Sequence, residues 1–317
     1  MWRTVLLLIT GLIIVPLLAF NFDTPMSELQ AATLWKLVNI YLISAALCFI
    51  ISSLTKNYSQ VDKLWSTIPI LYVWVAAAEG NFEPRLVLMA GLVSLWGIRL
   101  TLNFARRGGY SWKFWAGEED YRWAVLRAKP EFQPEWKWVL FNLFFISLYQ
   151  MGLVLLMTLP IIKSMEGGAL GWIDYVLAAL IVGMVIYETI SDQQQWEYQE
   201  EKHRRIREGE NLGEYYGKGF THTGLWGISR HPNYFAEQGV WVLFYFFSVI
   251  ASGNWINWTA TGFFLLLVLF KSSSDFSEEI SAEKYPEYKG YQQRVPRFVP
   301  FTKFSSKSTE EREKVAS

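Results

Sequence analysis

Eight apolar stretches dominate this chain: residues 4–20, 31–54, 64–78, 85–105, 136–162, 170–190, 234–251 and 255–270. Several reach the ~20 residues that a helix needs to cross a bilayer, while the third and eighth are short. In lipid the backbone has no water to bond, so helix is the state open to such segments. Composition agrees: 52% of residues are hydrophobic and only 18% charged, below the roughly 25% charged of soluble domains. The expected fold is therefore all-α, a polytopic integral membrane bundle of about eight transmembrane helices. Residues 1–304 read as a single membrane domain and 305–317 as a disordered polar tail.

The loops orient the bundle. Residues 55–63 carry Lys56 and Lys63. Residues 106–135 carry Arg106, Arg107, Lys113, Arg122, Arg127 and Lys129, and residues 191–233 carry Lys202, Arg204, Arg205, Arg207, Lys218 and Arg230. The intervening loops are nearly bare, since 21–30 has no Lys or Arg and Lys163 stands alone in its loop. Basic loops face the cytoplasm. With Arg3 and the basic tail from Lys271, both termini fall inside, which requires an even number of spans. The first stretch reads as a retained helix, because no small-x-small cleavage site follows it convincingly. Trp35, Trp112, Trp136, Trp172 and Trp255 flank spans, where amphipathic rings prefer the membrane–water boundary.

The formal charge sums to zero, which suggests no nucleic-acid partner. The lone cysteine, Cys48, can form no intrachain disulfide and reads as a small buried hydrophobe. His203, His222 and His231 lack ligand spacing with any Cys or His, so no metal site is expected. Neither a P-loop, a Rossmann glycine run nor a G-x-S-x-G elbow is present. The expected partners are the bilayer and a lipophilic small molecule, with no obligate protein partner evident.

Polar residues gather at four places on the side assigned to the cytoplasm. In GLWGISRHPNYFAEQ (224–238), Pro232 suits the first turn of a helix, with Ser229 or His231 able to cap it. Asn233 and Glu237 then lie one turn apart on one face, with Arg230, His231 and Tyr234 beside them. A helix N-terminus next to Arg and His suits an anion, and Glu237 within an apolar span needs a partner. The plainer reading is a capped helix whose Glu237 pairs with a neighbouring helix. In YETISDQQQWEYQEEKHRR, Glu188, Asp192, Gln195 and Gln199 recur at i, i+4, i+7 and i+11 on one helical face. A solvated helix extension explains Gln199 equally well but explains Glu188 poorly. The third place runs from Arg99 through Arg106 and Arg107 to Asp120 and Arg122, cations suited to phosphate or to topology alone. The fourth, EKYPEYKGYQQRVPRFVPF (283–301), is a rigid, aromatic, basic loop with Tyr285, Tyr288, Arg294 and Arg297.

These motifs, in this order, resemble the membrane-bound steroid 5-alpha-reductase superfamily, and especially its bacterial-type DUF1295 branch. SRHPNYxxE is joined by Tyr285-Pro286-x-Tyr288, Arg294-Val295-Pro296, Phe298-x-Pro300, LWGIRL and GEEDYRWAVLR. The likeness covers residues 61–301 and implies a seven-helix reductase-like core plus an extra span. It implies NADPH as cofactor and reduction of a carbon–carbon double bond conjugated to a carbonyl, in a steroid-like or other lipid substrate. Cofactor-binding roles would fall on Arg99, Asp192, Arg230, Asn233 and Glu237. Arg107, Asp120, Arg122, Glu188, Gln195, His231, Tyr234, Tyr285, Tyr288 and Arg294 complete the candidate set. Catalytic roles would fall on Asp62 and Trp96. Asp62 is shorter than the acid of the steroid reductases, and Trp96 stands where they carry tyrosine. An indole N–H donates a hydrogen bond but delivers no proton. Trp196 replaces an arginine. Asp62 also has a plainer reading, as half of a surface pair with Lys63. Isoprenylcysteine carboxyl methyltransferases share a similar stretch and bind S-adenosylmethionine, which is the second hypothesis. A non-catalytic lipid-binding protein is the third.

Overall fold

A computed structural model of the chain describes residues 13–113 and 117–302. The segment 305–317 and most of the first predicted span lie outside the described residues. The structure is all-helical, about 75% helix, with no strand among the described residues. We number its helices α1 (Val15–Phe22), α2 (Glu28–Thr55), α3 (Gln60–Trp65), α4 (Ile68–Glu79), α5 (Pro84–Arg106) and α6 (Tyr121–Arg127). They continue as α7 (Glu135–Lys163), α8 (Trp172–Glu208), α9 (Gly213–Gly217), α10 (Pro232–Ser252), α11 (Ala260–Lys284) and α12 (Tyr288–Arg294).

Five of these, α2, α5, α7, α8 and α10, are long and apolar enough to cross a membrane, which marks a multi-pass membrane protein. Each corresponds to a predicted span, within a few residues at its ends except for α8, which continues to Glu208 as a polar extension. The third predicted span differs. Its residues split into α3 and α4 at Ser66–Thr67, and α4 has only 12 residues. At 1.5 Å per residue it is about 18 Å long, short of a ~30 Å hydrocarbon core. The eighth begins at Ala260 and runs on through a charged half to Lys284. Pattern reading ended it where the apolar run stops. The helix continues because its polar half has buried partners.

The outward faces are apolar. On α2, Leu42, Ile43, Leu47, Ile50 and Leu54 are all exposed, positions where a water-facing helix would carry charge. At its start α2 is fixed by a capping box: Ser27 Oγ accepts the Gln30 N–H at 3.1 Å, and the Gln30 side chain accepts the Ser27 N–H at 3.3 Å. Within α7, residues Asn142–Tyr149 wind as a π-helix. Asn142 there is buried, and its amide donates to Ser52 Oγ at 3.0 Å and Ser53 Oγ at 3.1 Å.

The chain packs as two compact units. Unit 1 comprises Met1–Val185 and Gln238–Leu269, and unit 2 comprises Ile186–Glu237 and Phe270–Ser317. Unit 1 has a core of Leu37, Tyr72, Val73, Leu86, Met89 and Trp96. Its helices approach closely where glycine allows. A Cβ on Gly262 would lie 2.2 Å from the Leu156 carbonyl oxygen, so only glycine fits. Two buried ion pairs close its loops. Asp23 meets Lys163 at 2.7 Å and also accepts from the Asn254 amide at 2.9 Å. Arg85 grips Asp174 through two bonds of 2.9 and 3.0 Å and donates to the Gly168 and Ala169 carbonyls. Lys163, the lone cation of its loop by sequence, is thus one half of a buried pair.

Removing one partner strands the other as a buried charge. Asp174→Ala is expected to cost about 3–5 kcal/mol, read as a lowered unfolding temperature in mild detergent. The double variant Arg85→Met/Asp174→Leu should recover most of that loss.

Candidate functional site

The candidate residues fall into two groups, one within each unit. In unit 1 the connection after α2 is tied to the loop before α6. The Asn57 amide donates to the Gly117 carbonyl at 3.0 Å, the Tyr58 N–H to Glu119 Oε1 at 2.6 Å, and the Asp120 N–H to Ser59 Oγ at 2.9 Å. This lacing brings Asp62, Asp120 and Arg122 together. Asp120 caps α6 by accepting the Arg122 N–H at 2.9 Å. It also takes Arg122 as a two-pronged ion pair at 2.8 and 2.7 Å. Burial opposes ionisation of Asp120, but Arg122, by hydrogen bonds and charge, holds its carboxyl below the usual range, with Arg107 assisting.

Asp62 receives the Trp123 indole N–H at 3.3 Å. Burial, with the negative Asp120 nearby, pushes its carboxyl up to about 6, against the pull of Arg122, Ser59 and Trp123. Its hydrogen-bond partners are Trp123 and Ser59, and Lys63 beside it feels its charge as well. Trp96 is fully buried, edge-on to Trp241 with centroids 4.9 Å apart. Arg99 sits one turn further along α5 and is half-buried, while Arg107 is exposed beyond its end.

In unit 2 the later part of α8 and the first turns of α10 carry the predicted face. Glu188, Asp192 and Glu237 are all buried. Asn233 donates its amide to Asp192 Oδ1 at 3.3 Å and accepts the Tyr234 N–H at 3.0 Å through its own carbonyl. Gln195 accepts from the Thr221 hydroxyl. Beside it, Gln194, which sequence reasoning passed over, accepts the Leu225 N–H at 2.9 Å, and Ser191 accepts the Trp226 indole at 2.9 Å. The loop before α10 is thus laid along α8 by side chains and carbonyls of α8.

The Arg230-His231 pair has a different setting from the one its sequence suggested. Arg230 is buried against Glu278 of α11, with Nε donating to Oε1 at 2.8 Å and Nη2 to Oε2 at 3.1 Å. Its Nη1 donates to the carbonyls of Gln292 and Val295. His231 Nε2 meets the same carboxylate at 2.8 Å, and the Gln292 amide donates to it at 2.9 Å. Burial of Glu278 opposes its charge, but bonds from His231, Arg230 and Gln292 hold it well below the carboxylate range. Burial lowers the His231 imidazole, against the pull of the Glu278 carboxylate. Arg230 is therefore a staple, with its donors engaged inside the protein, rather than a free phosphate ligand.

That staple fixes the C-terminal segment. The Arg230 and His231 N–H groups donate to the Pro296 and Arg297 carbonyls at 2.8 and 3.0 Å. Ser229 Oγ donates to the Phe298 carbonyl at 2.6 Å and accepts the His231 N–H at 3.3 Å, which ties the entrance of α10 to this segment. Tyr234 stacks on His231, centroids 5.1 Å apart, and meets Phe270 edge-on at 4.6 Å. Tyr285 and Tyr288 join Phe220 and Tyr291 in an aromatic cluster. Gly219, at φ +81°, passes under Tyr285, where a Cβ would come within 2.1 Å of the ring. Arg294 ends α12 and is exposed. No group of His, Cys, Asp and Glu among the described residues is arranged to hold a metal.

Glu278 was missed because the sequence reading ended its helix at Phe270. Its signal was the stripe Phe270, Ser274 and Glu278 at i, i+4 and i+8, of which the last two are buried.

Comparison with known proteins adds three findings. The family model for "Protein of unknown function (DUF1295)" matches residues 48–295, a range that contains every candidate residue named above. An uncharacterized protein of Schizosaccharomyces pombe (strain 972) is 36% identical over 293 residues, covering 86% of this chain and 83% of the yeast protein. No solved structure matches.

If Glu278 holds the C-terminal segment, Glu278→Ala should speed amide exchange at Arg230 and His231, with a stability loss of about 3–5 kcal/mol. Because its carboxyl is lowered in the folded state, its contribution is full above the ordinary glutamate range near pH 4.5. It should fade as pH falls below that. Unchanged exchange in the variant would remove Glu278 from this role.

Proposed function

We infer the function from one premise: the chain belongs to the DUF1295 family, which is of the steroid 5-alpha-reductase-like type. We propose that it is a membrane-embedded reductase that uses NADPH to saturate a carbon–carbon double bond conjugated to a carbonyl in a lipophilic substrate. The observation that carries this is the polar row in unit 2. Asp192 and Asn233 are hydrogen-bonded to each other, with buried Glu188 and Glu237 on the same two helices. Several buried carboxylates suit a ligand rich in hydroxyl and amide donors, which a nicotinamide nucleotide is.

The fit to NADPH is good for its sugar and amide groups and narrower for its phosphates. Arg230 is engaged by Glu278, which leaves exposed Arg294 as the phosphate candidate of this unit. Arg230, His231 and Glu278 act as positioning residues that set the first turn of α10, and with it Asn233. The cofactor, when bound, supplies the hydride that adds to the β-carbon.

Asp62 is the acid of this proposal. Held protonated more readily than an ordinary aspartate, it donates a hydrogen bond to the substrate carbonyl as negative charge develops there. Trp96, packed against Trp241, acts as a wall. The polar side of the protein faces the cytoplasm in this reading, as the distribution of Lys and Arg requires.

A second reading draws on Arg230 as well. With that guanidinium engaged by Glu278, the site offers fewer free cations for phosphates, which favours S-adenosylmethionine and methyl transfer.

Mass spectrometry of the nucleotide that co-purifies in mild detergent separates the two, with NADP(H) expected. Asn233→Ala and Glu237→Ala should each abolish NADPH binding while the protein still inserts, and wild-type affinity in both would sink the assignment. As acid, Asp62 works protonated, so kcat/KM should fall as pH rises through about 6. Asp62→Asn should lower activity about 10²–10⁴-fold and remove that limb of the profile.

A further inference from the structure

Within unit 1, a cavity of about 420 Å³ lies under α6, walled by Tyr58, Glu119, Trp123, Arg127 and Gln133 with two alanines. That size falls within the ~300–1,000 Å³ of small-molecule sites. Its charged residues are unusual. The Arg127 guanidinium lies 5.7 Å from the Tyr58 ring centroid and 5.9 Å from that of Trp138. Among the described residues it makes no hydrogen bond and no ion pair. Glu119 has one oxygen on the Tyr58 N–H at 2.6 Å and likewise forms no ion pair. Two opposite charges thus line one aromatic-walled cavity, close enough for Arg127 to pull on Glu119 but not joined as an ion pair.

The cavity's position narrows what fills it. Tyr58 follows the end of α2 at Thr55, and Gln133 precedes the start of α7 at Glu135, so the lining comes from the ends of two apolar helices. Trp136, next along the chain, is exposed, as an interfacial anchor would be. This is the level of lipid headgroups.

We propose that this cavity binds the zwitterionic headgroup of a membrane phospholipid, with phosphate on Arg127 and ammonium between Glu119 and the rings of Tyr58 and Trp123. A guanidinium fork matches phosphate oxygens, and an alkylammonium is held by aromatic faces and a carboxylate. A purely anionic head would face Glu119, and a purely cationic one would face Arg127. Trp123 also donates to Asp62, so the test reads Arg127 and Glu119, lining residues that the reductase reading gives no role.

The test uses the full-length protein in dodecyl maltoside, following its unfolding temperature against added dihexanoylphosphatidylcholine, dihexanoylphosphatidylglycerol or phosphocholine. The choline lipid should half-saturate at a concentration at least tenfold lower than the glycerol lipid. Arg127→Gln should raise that concentration at least tenfold, and Glu119→Gln should erase the preference between the two lipids. Equal response to both lipids in the wild type overturns the proposal, as does wild-type behaviour in either variant. Phosphocholine binding as tightly as the lipid overturns the lipid source in favour of a soluble zwitterion. Should Arg127→Gln fail to fold, Glu119→Gln decides alone, because its amide oxygen still accepts the Tyr58 N–H.

Discussion

The carboxylate of Glu278 is the point on which unit 2 is organised. It receives Arg230, His231 and Gln292 directly, with Arg297 at 3.4 Å. A buried carboxylate stays charged only with such compensation, and each group that compensates it belongs to a different stretch of chain or fixes one. Arg230 and His231 set the entrance to α10, Gln292 lies on α12, and Arg297 lies in the segment beyond. One anion therefore determines where the chain's most distinctive motif sits.

The same physics recurs at the loops of unit 1, with a different outcome. Arg85–Asp174 and Lys163–Asp23 are buried pairs in which backbone carbonyls or side-chain amides fill the remaining hydrogen-bonding positions. Around Asp62 the balance is left incomplete. Asp120 takes Arg122 for itself, and Asp62 keeps an indole and a hydroxyl as its nearest support. That inequality separates two neighbouring aspartates into one firmly ionised group and one that holds its proton more readily. Sites that do acid chemistry are built on such differences.

Much of this was legible in the sequence, for reasons that differ by region. Five spans were readable because a lipid-facing helix needs apolar residues on all sides, and that is a property of composition over a window. The break at Ser66–Thr67 left a trace too, the Ser-Thr pair followed by Pro69 in the first turn of α4, but a reading by apolar run alone passes over it. The face Glu188–Asp192–Gln195 followed from helical spacing alone. The role of Arg230 did not, because its partner lies 48 residues away in a stretch whose helicity depends on that partnership. Trp123 was quoted only as part of a motif. Its contact with Asp62 is set by lacing between two loops, which leaves no periodic trace.

The π-helical stretch in α7 has a consequence for how this chain tolerates change in length. A π turn places a residue that an α-helix of the same rise would have no room for, so residues before Asn142 and after Tyr149 are out of phase with a single helical wheel. Losing one residue there would let the stretch relax to ordinary winding with the two halves of α7 facing as they do now, because the residue lost is the one that the wide turn accommodates. Trp138 would stay in the cluster of Tyr58, Ile146 and Met151 in which it is buried. One residue lost from an α-helical part of the same helix would instead rotate one half by about 100° against the other. The room for a change in length therefore lies in this stretch and not in its flanks.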